Sequence, residues 1–228
     1  ANSVGQVRGN VLSVNATDFA VVETAVNEVT ATISGSGQRI DIRDEDGLVV
    51  AAGGITTNSG SLLLAAGRSA VGTLSGSGVL DAGTGAVSLT NTNGGITLTS
   101  SSGQVRGGAL TVTAKDSVSL NSNVTFLTAS VTDGAGMFNI DEVDSLTIKG
   151  AVQTAGGDIN ITAGQGAADY LGGTGAINSA SGNVNLTLDG YMYLANSVGQ
   201  VRGNVLSVNA TGFAVVETVV NEVAATIS

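Results

Sequence analysis

The chain has 228 residues, of which 34 are glycine and 3% aromatic, with no proline, cysteine, tryptophan or histidine. Eighteen acidic against eight basic residues leave a net charge of −10, which argues against nucleic acid and anionic membranes as partners, because phosphate binding needs clustered Lys and Arg. Missing cysteine excludes disulfides and thiolate metal sites, and missing histidine excludes a Ser-His-Asp triad. No apolar run reaches the roughly 20 residues of a membrane span, so no membrane insertion is expected.

From the N-terminus onward, short segments alternate apolar and polar residues, the period of a strand with one buried face. The inward pairs, in chain order, are Leu12/Val14, Ile40/Ile42, Leu62/Leu64, Val87/Leu89, Leu110/Val112, Phe138/Ile140, Ile159/Ile161, Val184/Leu186 and Leu206/Val208. They follow one another at steps of 21–28 residues. That is too short for a propeller blade and suits one turn of a parallel β-helix, built from about three short strands and their corners. The expected fold is all-β, a right-handed parallel β-helix of about 8–9 coils with no significant helix. Glycine serves corners that need φ > 0, and the lack of proline keeps every ladder donor available.

Repetition runs at several lengths. Residues 1–34 return at 195–228 with three changes, Asp18 becoming Gly212, Ala25 becoming Val219 and Thr30 becoming Ala224. Within this 194-residue period, "GQVRGNVLSVNATD" (5–18) resembles "GQVRGGALTVTAKD" (103–116), and "SGSGVLDAGTGAVSLT" (75–90) resembles "GGTGAINSASGNVNLT" (172–187). Residues 1–228 therefore read as one continuous solenoid with half-units 5–102 and 103–198 and a third copy beginning at 199, each half-unit being four coils. The first residues, "ANSVG" without methionine, suggest a window from a longer tandem array.

The pentapeptide "GQVRG" opens each half-unit, so Arg8, Arg106 and Arg202 are expected to share one corner and point to water, as candidates for lateral contact. Leu63, Tyr191 and Tyr193 are further lateral candidates, with Met192 facing the other way. Two acidic clusters occupy equivalent places: Asp41, Asp44, Glu45 and Asp46, and Asp141, Glu142 and Asp144. Carboxylates bunched at a corner could hold calcium, which takes 6–8 oxygen ligands, although the spacing fits neither an EF-hand nor a calcium nonapeptide. A solvated acidic corner is the simpler reading. Carboxylate pairs also do acid–base work on glycosides, but a tandemly copied frame offers no unique cleft. An outward array holding Thr90, Thr111, Thr113, Thr162 and Thr187 could order ice-like water, but Asp41/Arg43 and Leu63/Ala65 interrupt it. Glycine-rich stretches such as "GGTGA" lack the Gly-Lys-Ser/Thr ending of a phosphate loop.

Phrases such as "GGDINITAG" (156–164), "NTNGGITLTS" (91–100), "SGNVNLTLDG" (181–190) and "GALTVTAKDSVSL" (108–120) resemble the repeats of the filamentous haemagglutinin family of bacterial exoproteins. The resemblance covers essentially the whole chain. It implies a right-handed β-helix, export through an outer-membrane transporter, and service on the bacterial cell surface as an extracellular fibre in adhesion. These coils are longer and more variable than the family's, and no catalytic residues carry over.

The expected function is thus structural: a segment of an extracellular fibre or adhesin shaft, without enzymatic activity or cofactor, whose partners are neighbouring repeats of the same chain, identical fibres, and a cell-surface or polysaccharide ligand. The alternatives are a polysaccharide-binding or polysaccharide-cleaving β-helix, and an ice- or calcium-binding repeat of an adhesin.

Overall fold

A computed structural model describes residues 6–195 and 200–228. Among the described residues there are 21 strands joined in one hydrogen-bonded sheet, and no helix. Pairing is parallel, and each strand bonds to strands one turn before and one turn after it. The chain is a parallel β-solenoid, as the alternation predicts. A representative turn, from Leu62 to Val87, uses three strand segments: Leu62–Ala66, Leu74–Gly76 and Leu80–Asp81.

The interior follows from the composition. Inward positions carry Val, Leu, Ile and Ala, small enough to stack rung on rung, and Phe138 is the largest side chain fully inside. The inward pairs from Ile40/Ile42 to Leu206/Val208 are buried, while Leu12 and Val14 on the first turn are half-buried against the same core. Outward positions are polar and pair along the axis. Asn185 Nδ2 donates to Asn160 Oδ1 at 2.6 Å, and Asn160 Nδ2 donates to Asn139 Oδ1 at 2.5 Å.

The nine inward pairs are not rungs of one stack. Ile40, Leu62, Val87 and Leu110 form one column, and Phe138, Ile159, Val184 and Leu206 form a second. Leu12 stacks on Val29 in a third, and Leu110 continues to Leu127 rather than to Phe138. Each apparent step of 28 hides a complete turn only 17 residues long, Val7 to Thr24 and Val105 to Ser122. Turn lengths accordingly run from 17 to 26 residues, the longest from Leu48 to Leu74. The short turns are almost all strand: Val105–Ala114 and Val118–Val131 are separated by only three residues. Strand runs on through the glycine corners at Gly9 and Gly107–Gly108, and Thr17–Phe19 and Lys115–Ser117 carry no glycine, so the sequence reads as a single long step.

The half-unit is therefore four turns plus one face, not four coils. Val14, Ala31, Ile55, Leu80 and Val105 stack through four complete turns. Val112, the counterpart of Val14, lies on the next face, paired with Leu89, and Val208 on the face after that, paired with Leu186. Each copy is thereby turned about a third of a revolution from the one before.

Candidate functional site

The GQVRG motif shows this rotation directly. Arg8 pairs in register with Ala25, Arg106 with Asp81 and Asn123, and Arg202 with Asn178 and Val219. The three arginines stand in three separate columns, so they do not share a corner. All are exposed, as expected of the outward position. Arg8 Nη2 lies 3.3 Å from Glu45 Oε2, and Arg106 Nε donates to the Gly103 carbonyl at 2.8 Å.

The functional residue of the motif is the glutamine beside it. Gln104 is fully buried, and its Nε2 donates to the carbonyls of Gly76 and Gly78, both at 2.9 Å, while its Oε1 accepts from Ser100 N. Gln200 repeats this on the carbonyls of Gly173 and Gly175 at 2.8 and 2.9 Å. Gly76 and Gly173 sit at φ +138° and +121°, where a Cβ would stand 2.1 and 2.2 Å from the carbonyl oxygens of Val50 and Ile148. The chain breaks its ladder at these corners, and the glutamine amide satisfies the carbonyls released there, since an unpaired buried acceptor costs about 1–3 kcal/mol. Gln6, on the first turn, donates instead to Thr24 O and to Glu45 Oε2. Identity across three copies is visible in the sequence, but an amide among charged and glycine residues gives no sign that it is the inward member.

The acidic clusters are divided rather than gathered. Asp44 and Glu142 are inward corner acceptors. Asp44 takes Thr24 Oγ1 at 2.7 Å, Val26 N at 3.1 Å and Asp46 N at 3.1 Å. Glu142 takes Ser122 Oγ at 2.6 Å, Val124 N at 3.0 Å and Asp144 N at 3.4 Å. Burial pushes the Glu142 carboxyl up to about 7, against the opposing pull of the hydrogen bonds from Ser122, Val124 and Asp144. Asp41 is covered by Arg43, at 2.7 Å, and Arg43 also approaches Glu23, which Arg68 meets from the next turn. Glu45 faces Gln6 and Arg8. Asp46 is exposed, with its carboxyl raised by desolvation and by the adjacent Asp44. Asp141 and Asp144 are exposed. Among the described residues, no three acidic side chains converge as metal ligands would. Asp44 and Glu142 serve the backbone, and Asp41 and Glu45 serve the arginines.

A third feature is aromatic. Tyr170 and Tyr191 are register partners on successive turns, and Phe213 stacks on Tyr191 with centroids 5.5 Å apart and planes within 9°. Tyr193 and Val215 form a neighbouring exposed pair. Met192 is buried between them, as predicted, whereas Leu63 is only partly exposed. The Tyr191 and Phe213 rings lie face to face along the axis. That stacking covers one face of each of the two rings, which leaves less of the ridge to serve as a sugar platform. The outward asparagines likewise spend their amides on each other, which leaves less of that face for ordering water.

Comparison with known protein families, characterised proteins and solved structures found no match to this chain.

Proposed function

We infer that this chain is a modular segment of a structural shaft, a solenoid whose task is to hold length and stiffness. The observation that carries this reading is the sealed joint between repeats. Where the second 194-residue unit begins, Gln200 caps two carbonyls of the preceding unit, Val201 stacks on Ile177, Leu206 stacks on Val184, and Phe213 stacks on Tyr191. The apolar interior crosses the joint unbroken, so a repeat can be added without a hinge, and stability accumulates from neighbour to neighbour. Surface display on an exported bacterial fibre, with adhesion as its service, accords with the resemblance to filamentous haemagglutinin repeats. Right-handed winding accords with the usual hand of parallel crossovers.

The test is to extend the chain by one and two further copies of the 194-residue period and measure length by cryo-electron microscopy. Each copy should add about 42 Å to a straight rod at the usual strand spacing. Jointed beads, or an unchanged length, would refute the shaft.

A further inference from the structure

The two half-units carry an excursion at the same place. Residues 62–76, "LLLAAGRSAVGTLSG", align with 159–173, "INITAGQGAADYLGG", through Ala66 and Gly67 with Ala163 and Gly164, and through Leu74 and Gly76 with Leu171 and Gly173. Ala66 to Leu74 advances eight residues where the next turn, Asn91 to Ile96, advances five. Ala163 to Leu171 likewise advances eight, against four from Glu142 to Leu146 below it and from Leu188 to Met192 above. The flanks are alike and the contents differ, so the frame fixes where the excursion occurs and not what it carries, as for a recognition loop on a rigid scaffold. The second excursion ends in Tyr170, and it brings all three tyrosines of the chain onto one outward face: Tyr170, Tyr191 and Tyr193 are 40–50% exposed. Turns lie on both sides of them, so this exposure is lateral and owes nothing to the ends of the solenoid.

Tyr170 runs along the sheet rather than standing from it. Its Oη lies 2.7 Å from Thr147 Oγ1 on the turn below, and its Cδ2 and Cε2 lie 3.3 and 3.5 Å from where a Cβ on Gly172 would stand. Phe126, Thr147, Gly172 and Tyr193 form one column, and Lys149 Nζ sits 5.0 Å from the centre of the Phe126 ring. The face therefore already carries one cation on an aromatic ring. Three carboxylates lie at the corner that leads into Tyr170 and Tyr191. Asp189 takes Thr211 Oγ1 at 2.7 Å, Asp144 takes Asn123 Nδ2 at 3.2 Å and Asp169 takes Gly166 N at 2.9 Å, all neutral donors. We propose that this tyrosine face is a docking site for an arginine-bearing segment of a partner protein. A guanidinium is planar, stacks on an aromatic ring and bonds a carboxylate through its fork. It answers both halves of the surface at once, Tyr170 and Tyr193 meeting its plane and Asp169 and Asp189 its charge. The proposal goes beyond the shaft reading, which depends on the buried interior, and either can fail without the other.

The chain has no tryptophan and its three tyrosines all lie here, so the intrinsic emission of the full chain reports on this face alone. Titration with a synthetic peptide alternating arginine and glycine should change that emission saturably, and binding should weaken as salt screens the carboxylates. Tyr170→Ala should raise the dissociation constant about tenfold, as loss of a cation–π contact does. Asp189→Asn should raise it about threefold, and because it alters no packing it keeps the test decisive should Tyr170→Ala unfold. Asp116→Asn, at the different corner where Asp116 N donates to Gly94 O, should bind as the parent does. Emission unchanged through millimolar peptide overturns the proposal. So do equal losses from Asp116→Asn and Asp189→Asn, which would assign the attraction to net charge, and equal affinity for a lysine–glycine peptide, which would deny the stacked guanidinium. A saturable response to a neutral oligosaccharide with none to the arginine peptide would make the face a sugar platform and overturn it too.

Discussion

Segments 6–34 and 200–228 are nearly one sequence in two settings, and they bury opposite edges. Val7 is 41% exposed and Val201 0%, while Ile33 is 1% exposed and Ile227 50%. Val29 is likewise enclosed where Val223 stands 54% open. Side chain and internal register are the same at these positions, so burial belongs to the adjacent turn and not to the residue. A hydrophobic position in this fold acquires its worth only when another turn closes over it, the nearest-neighbour behaviour of solenoids.

The largest expected effect sharpens that contrast. Ile33→Ala should lower stability by about 2–5 kcal/mol, as for deletion of a fully buried side chain, whereas Ile227→Ala should stay within about 0.5 kcal/mol. Chemical denaturation of the two variants checks this, and equal losses would break the comparison. Next comes Glu142 in the central turns. Its folded carboxyl sits near 7 and its unfolded one near the ordinary 4.5, so between those pH values the folded state holds a proton that the unfolded state has released. Stability should therefore fall as pH rises from about 4.5 to about 7 and then level, by an amount on the order of 2–3 kcal/mol. Glu142→Gln should flatten that slope in melts taken across the range. The smallest effect concerns the glutamines. Gln200→Ala should cost about 1–3 kcal/mol by stranding two buried carbonyls, and Gln6→Ala well under 1 kcal/mol, the value usual for an exposed polar pair. Equal melting-temperature losses for the two would contradict the assigned cap.

Much of this fold is legible without coordinates because the period-2 alternation is strict wherever a glycine corner brackets it, as at Leu62/Leu64 and Val184/Leu186. The 17-residue turns inside the two steps of 28 escape, since strand continues through their corners and two turns merge into one step; with them escapes the shift of each copy to a new face. The arginine of GQVRG draws attention by its charge, yet the neighbouring glutamine holds the corner. Its role depends on carbonyls 26–28 residues earlier, a relation that only the three-dimensional register reveals. The split among the acids has the same origin. Asp44 and Glu142 fall at strand ends that turn inward, while Asp46 and Asp144, two residues on, lie outside.

The extra face in every half-unit sets how a long array would look from outside. Each feature tied to the repeat climbs the rod as a three-sided staircase, and returns to the same side only after three half-units, or about 62 Å at ordinary strand spacing. A filament lying flat against another surface would still hold two-thirds of its steps clear of it.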